Sequence, residues 1–234
     1  MYGTLYIIGT PIGNLEDISY RAVRLLKEVA IIAAEDTRHT KTLLSRYQIS
    51  TQMTSYHDFN KEEKALVLIA RLKEGASIAL VSDAGTPTIS DPGYFLINQA
   101  ILAEIPICPI PGPTAAIVAL SVSGLPTDRF AFEGFLPRKS GGREKRLMTL
   151  RSDPRTLIFY ESPHRIITLL EEIQMLFGNR RVVVCREMTK TFEEIVRGEI
   201  SEVLQKWKGK KILGEITLVI EGTALKRKNG SEAT

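Results

Sequence analysis

The sequence predicts an α/β protein made of two α/β domains. Short apolar runs alternate with amphipathic helical patterns along the chain, an order that builds a mostly parallel sheet covered by helices. The alternation breaks at Ser123-Gly-Leu-Pro126, a cluster of chain breakers, and then restarts. The chain has 234 residues, 44% of them apolar. A chain of this size buries roughly 70% of its unfolded surface and needs neither disulfide nor metal to hold a core. The expected division is 1–122, 127–223 and a flexible polar tail at 224–234.

In the first half, Leu5–Ile8 reads as a strand and Tyr20–Val29 as a helix with Val23, Leu25, Leu26 and Val29 on one side. Ile31–Ala34 is a strand, and Thr40–Tyr47 and Glu62–Glu74 are helices. In the second of these helices, Ala65, Leu66, Ile69 and Leu72 recur at three and four. Ser77–Val81 is a strand, Tyr94–Ala103 a helix and Ile107–Ile110 a strand. Pro113 then sets up a helix over Thr114–Val122, where its missing donor costs nothing. Beyond the break, Arg129–Phe132, Thr156–Tyr160, Val182–Arg186, Glu193–Arg197 and Glu215–Glu221 read as strands. Gly142–Arg151, His164–Leu176 and Ser201–Trp207 read as helices. This half is richer in strands able to pair antiparallel.

Several function classes are excluded. Cys108 and Cys185 sit in runs that read as buried strands, and no Cys/His cluster suggests a metal site. The N-terminus lacks the features of a signal peptide. The uncharged stretch Ile105–Thr127 is punctuated by five prolines, which a membrane-spanning helix does not tolerate. A cytoplasmic location is expected. The loop Gly9-Thr-Pro-Ile-Gly-Asn14 is neither a dinucleotide fingerprint nor a P-loop, and no Gly-x-Ser-x-Gly elbow is present. The three histidines, His39, His57 and His164, read as structural hydrogen-bonding groups.

In open α/β sheets ligands bind at the carboxyl ends of strands. Four such loops stand out: Gly9–Asn14, Ala34–His39, the twelve-residue Ser82–Gly93 with two glycines, two prolines and two aspartates, and Ile110–Ala115. Connections are usually shorter than the third of these. Glycine lets the backbone approach a ligand closely, and the four loops together mark a ligand cleft. In Ala34–His39, Asp36 or Thr37 reads as a cap for the helix that follows.

Net charge is +4 and uneven. Residues 136–165 carry eight basic side chains against three acids, so this window holds +5 and the rest −1. Concentrated positive charge suggests a polyanionic partner. The segment Phe135–Arg143 reads as a basic loop suited to phosphate contacts.

The segments LYIIGTPIGNLEDIS, AAEDTRHTKTLL, SDAGTPTISDPG, PGPTA, FEGFLPRKSGGR, FYESPHRI, REMTKTFEEIVRG and GEITLVIEG, in this order from Leu5 to Gly222, resemble the tetrapyrrole-methylase superfamily. Within it they are similar to the bacterial branch that methylates small-subunit ribosomal RNA. The resemblance implies two α/β domains with S-adenosylmethionine folded in the cleft between them, and a homodimer. It also implies methyl transfer to the ribose 2′-hydroxyl of a cytidine in 16S rRNA, within free RNA or an assembled 30S subunit. By motif, the cofactor residues are Pro11, Ala84, Gly85, Thr86, Ile89, Thr114 and Ala115, joined by Tyr160, Glu161 and Met188. The expected phosphate contacts are Arg138, Lys139, Arg143, Lys145, Arg146 and Arg165. Glu187 and Glu35 are the candidates for the base that takes the hydroxyl proton. A tetrapyrrole or other small-molecule methylase of the same fold is the alternative, and the basic segment argues against it.

Overall fold

The computed structural model describes residues 1–223; the tail expected at 224–234 lies outside them. The chain divides into two compact units, the first Met1–Ala115 and the second from Ala116 onward. Among the described residues no helix is long and apolar enough to cross a membrane.

The first unit runs β1 (Leu5–Ile8), α1 (Tyr20–Glu28), β2 (Ile31–Ala34), α2 (Thr37–Arg46), β3 (Met53–Ser55), α3 (Lys61–Lys73), β4 (Ile78–Val81), α4 (Tyr94–Leu102) and β5 (Ile107–Ile110). Its strands pair in the order β3-β2-β4-β1-β5, every pair parallel. Alternate residues face opposite sides. Ile32, Ala34, Ala79 and Val81 pack with Ala22, Leu25 and Leu26 of α1 and Leu43 and Leu44 of α2. Ala33, Ile78 and Leu80 pack with Ala65, Leu68 and Leu72 of α3 and Leu96 and Ala100 of α4. Burial on both faces is why β2 and β4 read as unbroken apolar runs. The neighbours β1 and β4 lead into helices on opposite faces, and the carboxyl ends of such a pair are where an open sheet forms a crevice.

Three details differ from expectation. β3 was not foreseen. α2 starts at Thr37 rather than Thr40 because Asp36 caps it, accepting the Arg38 N–H at 2.8 Å. Cys108 lies on the outermost strand β5 and is only half-buried, whereas Cys185 is buried.

The second unit opens with α5 (Ala115–Ser123), whose first residue closes the first unit. It contains β6 (Phe130–Phe135), α6 (Ser140–Leu150), β7 (Thr156–Glu161), α7 (Ile166–Phe177), β8 (Arg181–Arg186), β9 (Glu194–Glu199), α8 (Ile200–Trp207) and β10 (Ile216–Ile220). The strand order is β6-β7-β10-β8-β9. β6 and β7 are parallel, while β10 runs antiparallel to both β7 and β8, and β9 antiparallel to β8. One face, with Leu157, Phe159, Val182, Val184 and Leu218, packs against Leu147 of α6, Leu169, Leu170 and Ile173 of α7, and Val203 and Trp207 of α8.

The basic segment is not wholly a loop: residues 140–143 form the first turn of α6. Arg143 is the reason and also a correction. It is 7% exposed. Its Nε and Nη2 each lie 2.5 Å from the Glu172 carboxylate on α7, and its Nη1 donates to the Arg138 carbonyl at 3.2 Å. This side chain fastens α6 to α7, and its burial and its pairing with Glu172 withdraw it from a phosphate in solvent.

Candidate active site

The loops after β1, β4 and β5 interlock. The Thr10 N–H donates to the Gly85 carbonyl at 2.8 Å and the Gly85 N–H to the Thr10 carbonyl at 3.0 Å. The Thr10 hydroxyl also donates to the Ser82 carbonyl at 3.1 Å. Gly9 lies directly on Gly112, and a Cβ on either would fall 2.7 Å from the other's Cα. Only glycine at both positions lets the first and third loops touch. The Thr86 and Thr114 hydroxyls share a hydrogen bond of 2.7 Å, and Thr86 donates to the Pro113 carbonyl at 3.3 Å.

The long loop is held in an uncommon backbone. Gly85 has φ +87°, and the non-glycine residues Thr88 and Ser90 have φ +77° and +66°. Such conformations persist only where the surroundings fix them, and they concentrate at functional sites. A side chain on Gly85 would be strained by its φ, and its Cβ would already touch Ile12 and the Pro113 carbonyl, each at 3.4 Å.

Three carboxylates converge beside this floor. The Asp83 N–H points at the Glu35 carboxylate, 3.5 Å away, and Asp83 in turn accepts the Asp36 N–H at 3.0 Å. Burial first, then the Asp83 charge, hold the Glu35 carboxyl above the usual carboxylate range. Asp91 is pushed up to about 7 by burial and then by Glu35, with the Ser82 hydroxyl pulling the other way. No described residue forms an ion pair with Glu35, Asp83 or Asp91, since Arg38 is taken by Asp36 at 2.7 Å. The paired Asp36 carboxyl is driven down by that guanidinium.

Of the residues expected at the cofactor, Pro11, Ala84, Gly85, Thr86, Ile89, Thr114 and Ala115 all lie on these loops or at the start of α5. Pro11 and Gly85 are buried, Thr86, Thr114 and Ala115 half-buried, and Ala84 and Ile89 exposed. Asp83 and Asp91 were not singled out from the sequence. Their signal was two aspartates in a loop too long for a plain connection.

In the second unit, Tyr160 and Glu161 end β7. The Tyr160 hydroxyl accepts the Ala116 N–H at 3.2 Å, and its ring meets those of Phe132 and Phe135 edge-on. Glu161 is buried; its Oε1 accepts the Ser162 N–H at 2.6 Å and the Arg165 Nε–H at 2.8 Å. Among the described residues, Glu161 Oε2 and Arg165 Nη1 are buried without a hydrogen-bond partner. Met188 is buried just after β8. Glu187, with φ +52°, is tied down. Its Oε1 accepts the Glu215 N–H at 2.9 Å and the Lys190 ammonium at 3.0 Å. The backbone donor first, then Lys190, hold its carboxyl below the ordinary range.

Arg138, Lys139 and Lys145 are exposed, and Arg146 is exposed but bound to Glu133 at 2.8 Å. Arg165 is drawn to Glu161 and is 25% exposed. Four of the six expected phosphate contacts are therefore exposed, Arg146 among them in an ion pair with Glu133, while Arg165 is largely withdrawn and Arg143 is a strut.

The pattern of the tetrapyrrole (corrin/porphyrin) methylases matches residues 4–204. The chain is 52% identical to a protein of Halalkalibacterium halodurans named ribosomal RNA small subunit methyltransferase I, over 96% of this chain and 78% of that one. It is also 52% identical to a protein of the same name in Escherichia coli O157:H7, over 94% and 78%. Its fold matches a uroporphyrin-III C-methyltransferase of Thermus thermophilus complexed with S-adenosylhomocysteine, with TM-score 0.64, 20% identity, and coverage of 93% of this chain and 97% of that one.

Proposed function

The chain belongs to the tetrapyrrole (corrin/porphyrin) methylase family, and from that premise we infer that it is an S-adenosylmethionine-dependent methyltransferase acting on small-subunit ribosomal RNA. The observation that carries this is 52% identity across nearly the whole chain to proteins named for that activity. Likeness to the tetrapyrrole enzymes is at the level of fold.

The first unit suits the cofactor. Its floor is backbone and hydroxyl groups rather than bulky side chains, and Ile89 offers exposed apolar surface. Glu35, Asp83 and Asp91 supply carboxyl groups that form no ion pair with a described residue, which complements a ligand bearing a sulfonium and an ammonium. The residues proposed to hold it are Pro11, Ala84, Gly85, Thr86, Ile89, Thr114 and Ala115, with Tyr160, Glu161 and Met188 from residues 127–223. Bound S-adenosylmethionine supplies a methyl group already activated by its positively charged sulfur.

The remaining task is to orient a ribose hydroxyl and receive its proton. Glu35 and Glu187 differ here. Burial and neighbouring acids make the Glu35 carboxylate the more basic of the two. Glu187 is stabilised as an anion by a backbone donor and Lys190, which weakens it as a base while fixing the Lys190 ammonium between Glu187 and Glu215. The proposed assignment is Glu35 as proton acceptor and Glu187 as a positioning residue. The proposed acceptor is the 2′-hydroxyl of a cytidine, met in the 30S subunit by a cytoplasmic homodimer. The exposed Arg138, Lys139, Lys145 and Arg146 would contact phosphates.

Incubating the protein with isotopically labelled S-adenosylmethionine and small subunits, then mapping the rRNA by mass spectrometry, tests this. The expected product carries one label on a cytidine ribose. Absence of label from the RNA would overturn the reading.

A further inference from the structure

The second unit contains a groove that the proposed cofactor and phosphate contacts do not use. It has a volume of about 510 Å³ and lies at the carboxyl end of β8, between Arg186, Phe192 and Glu194 on one side and the Lys210–Gly214 segment on the other. That volume is within the range of small-ligand sites. Trp207, 3% exposed, lies at its base, while Phe192 is 73% exposed and Leu213 53%.

The charges around it are sorted. Glu194 accepts from Arg186 at 3.1 Å, and Glu187 is satisfied by Lys190 and the Glu215 N–H. Lys208, Lys210 and Lys211 are exposed and form no ion pair with any described residue. The acids are thus neutralised from within, and the surplus charge is positive. The wall has an uncommon backbone: Glu187 holds φ +52°, and Gly214 has φ +90°, where a side chain would run into Glu187.

We propose that this groove is a subsite for an unpaired nucleotide of the RNA substrate, with a base stacked on Phe192 and flanking phosphates on Lys210 and Lys211. An exposed ring beside unpaired cations is the combination that single-stranded nucleic acid uses: stacking on the ring, with phosphates held by cations. Only an unstacked base can lie on such a ring, so the site selects single strand over duplex. The inference rests on the rRNA reading and adds where, outside the basic segment at 137–146, the strand is held.

The test measures binding of a fluorescent single-stranded oligoribonucleotide and of a perfect RNA duplex to the full chain across a salt series. Phe192→Ala should weaken single-strand binding by about five-fold or more, given the usual range for a stacked base. Phe192→Trp should restore it, and duplex binding should not change. Lys210→Gln with Lys211→Gln should lower the slope of log K against log salt by about 1.4, roughly 0.7 for each phosphate contact on a single strand. S-adenosylmethionine affinity, read by calorimetry, should match the parent in every variant. Parent-like single-strand affinity and slope in both variants would overturn the subsite while leaving the rRNA reading intact. So would a parent that binds small subunits but not the oligoribonucleotide. A parent that binds neither and methylates no RNA would overturn the rRNA reading, and the inference with it.

Discussion

The two sheets treat charge in opposite ways. In the all-parallel sheet, strands of different sequence rank end together, so loops distant in sequence pool their carboxylates: Glu35 after β2 meets Asp83 and Asp91 after β4, and none of the three forms an ion pair with a described residue. In the mixed sheet, strand ends carry acid and base side by side, and most acids find a partner at once, as Glu187 does with Lys190, Glu161 with Arg165 and Glu194 with Arg186. The surplus differs accordingly. Residues 1–115 hold ten lysines and arginines against twelve acids, and residues 116–234 hold twenty-one against fifteen. An enzyme that joins a cationic donor to a polyanionic acceptor needs this separation, because a site of one sign repels one of its two substrates.

The comparison can be broken most sharply at the two glutamates. Glu35→Gln should lower the single-turnover methyl-transfer rate by about 10²-fold or more, the usual scale for losing a general base. Glu187→Gln should cost only a few-fold. Equal losses, or a greater loss at Glu187, would reverse the assignment.

Next in size is the strut. Arg143→Ala leaves Glu172 facing a poorly solvated space and should destabilise the fold by about 3 kcal/mol, at the lower end for a broken buried pair. Chemical denaturation measures this. RNA affinity of the remaining folded protein should stay near that of the parent, whereas a selective loss of RNA affinity without loss of stability would return Arg143 to the phosphate contacts.

Gly85→Val tests the floor of the first unit. Saturating cofactor should stabilise the parent by about 2.7 kcal/mol at 100 times Kd. The variant should melt with no such shift, because a β-branched residue is strained at φ +87°. An unchanged shift would remove this loop from the cofactor site.

A further effect depends on pH. The carboxyl of Asp91 is raised to about 7 in the folded chain. Its contribution to stability is therefore complete below its unfolded value, near 4, and is lost as pH rises through about 7. Asp91→Asn should melt like the parent at pH 4 and at a higher temperature at pH 8. The Glu187 carboxyl is lowered, so its contribution has the opposite slope: present above the ordinary glutamate range and lost toward acid. Glu187→Gln should therefore be less stable than the parent at neutral pH. If both variants showed the same pH trend, the contrast between the two strand ends would fail.

Much of the fold was legible because burial on both faces leaves a plain mark. IIAA and IALV could be little other than central strands, and Leu25, Leu26 and Leu72 marked the core sides of their helices. What escaped depends on contacts remote in sequence. β3 has three half-buried residues, Met53–Ser55, too few and too polar to show a period. The start of α6 at Ser140 hides behind Gly141, since the helix reads from Gly142; the first turn is tied down by Arg143 reaching Glu172, twenty-nine residues away. Capping by Asp36 was legible, since a cap acts within two residues. The meeting of Glu35 with Asp83 and Asp91 was not, because it follows from β2 lying beside β4 and no local pattern records that neighbour.

The separation of charge between the two units is tested most directly by one paired titration. Arg138→Glu with Lys145→Glu is measured against S-adenosylmethionine by calorimetry and against 16S rRNA across a salt series. Charge separation requires an unchanged cofactor Kd, an RNA affinity reduced about ten-fold or more, and a salt slope lowered by roughly two. RNA affinity and slope equal to the parent's, or a cofactor Kd that moves together with the RNA affinity, would contradict it.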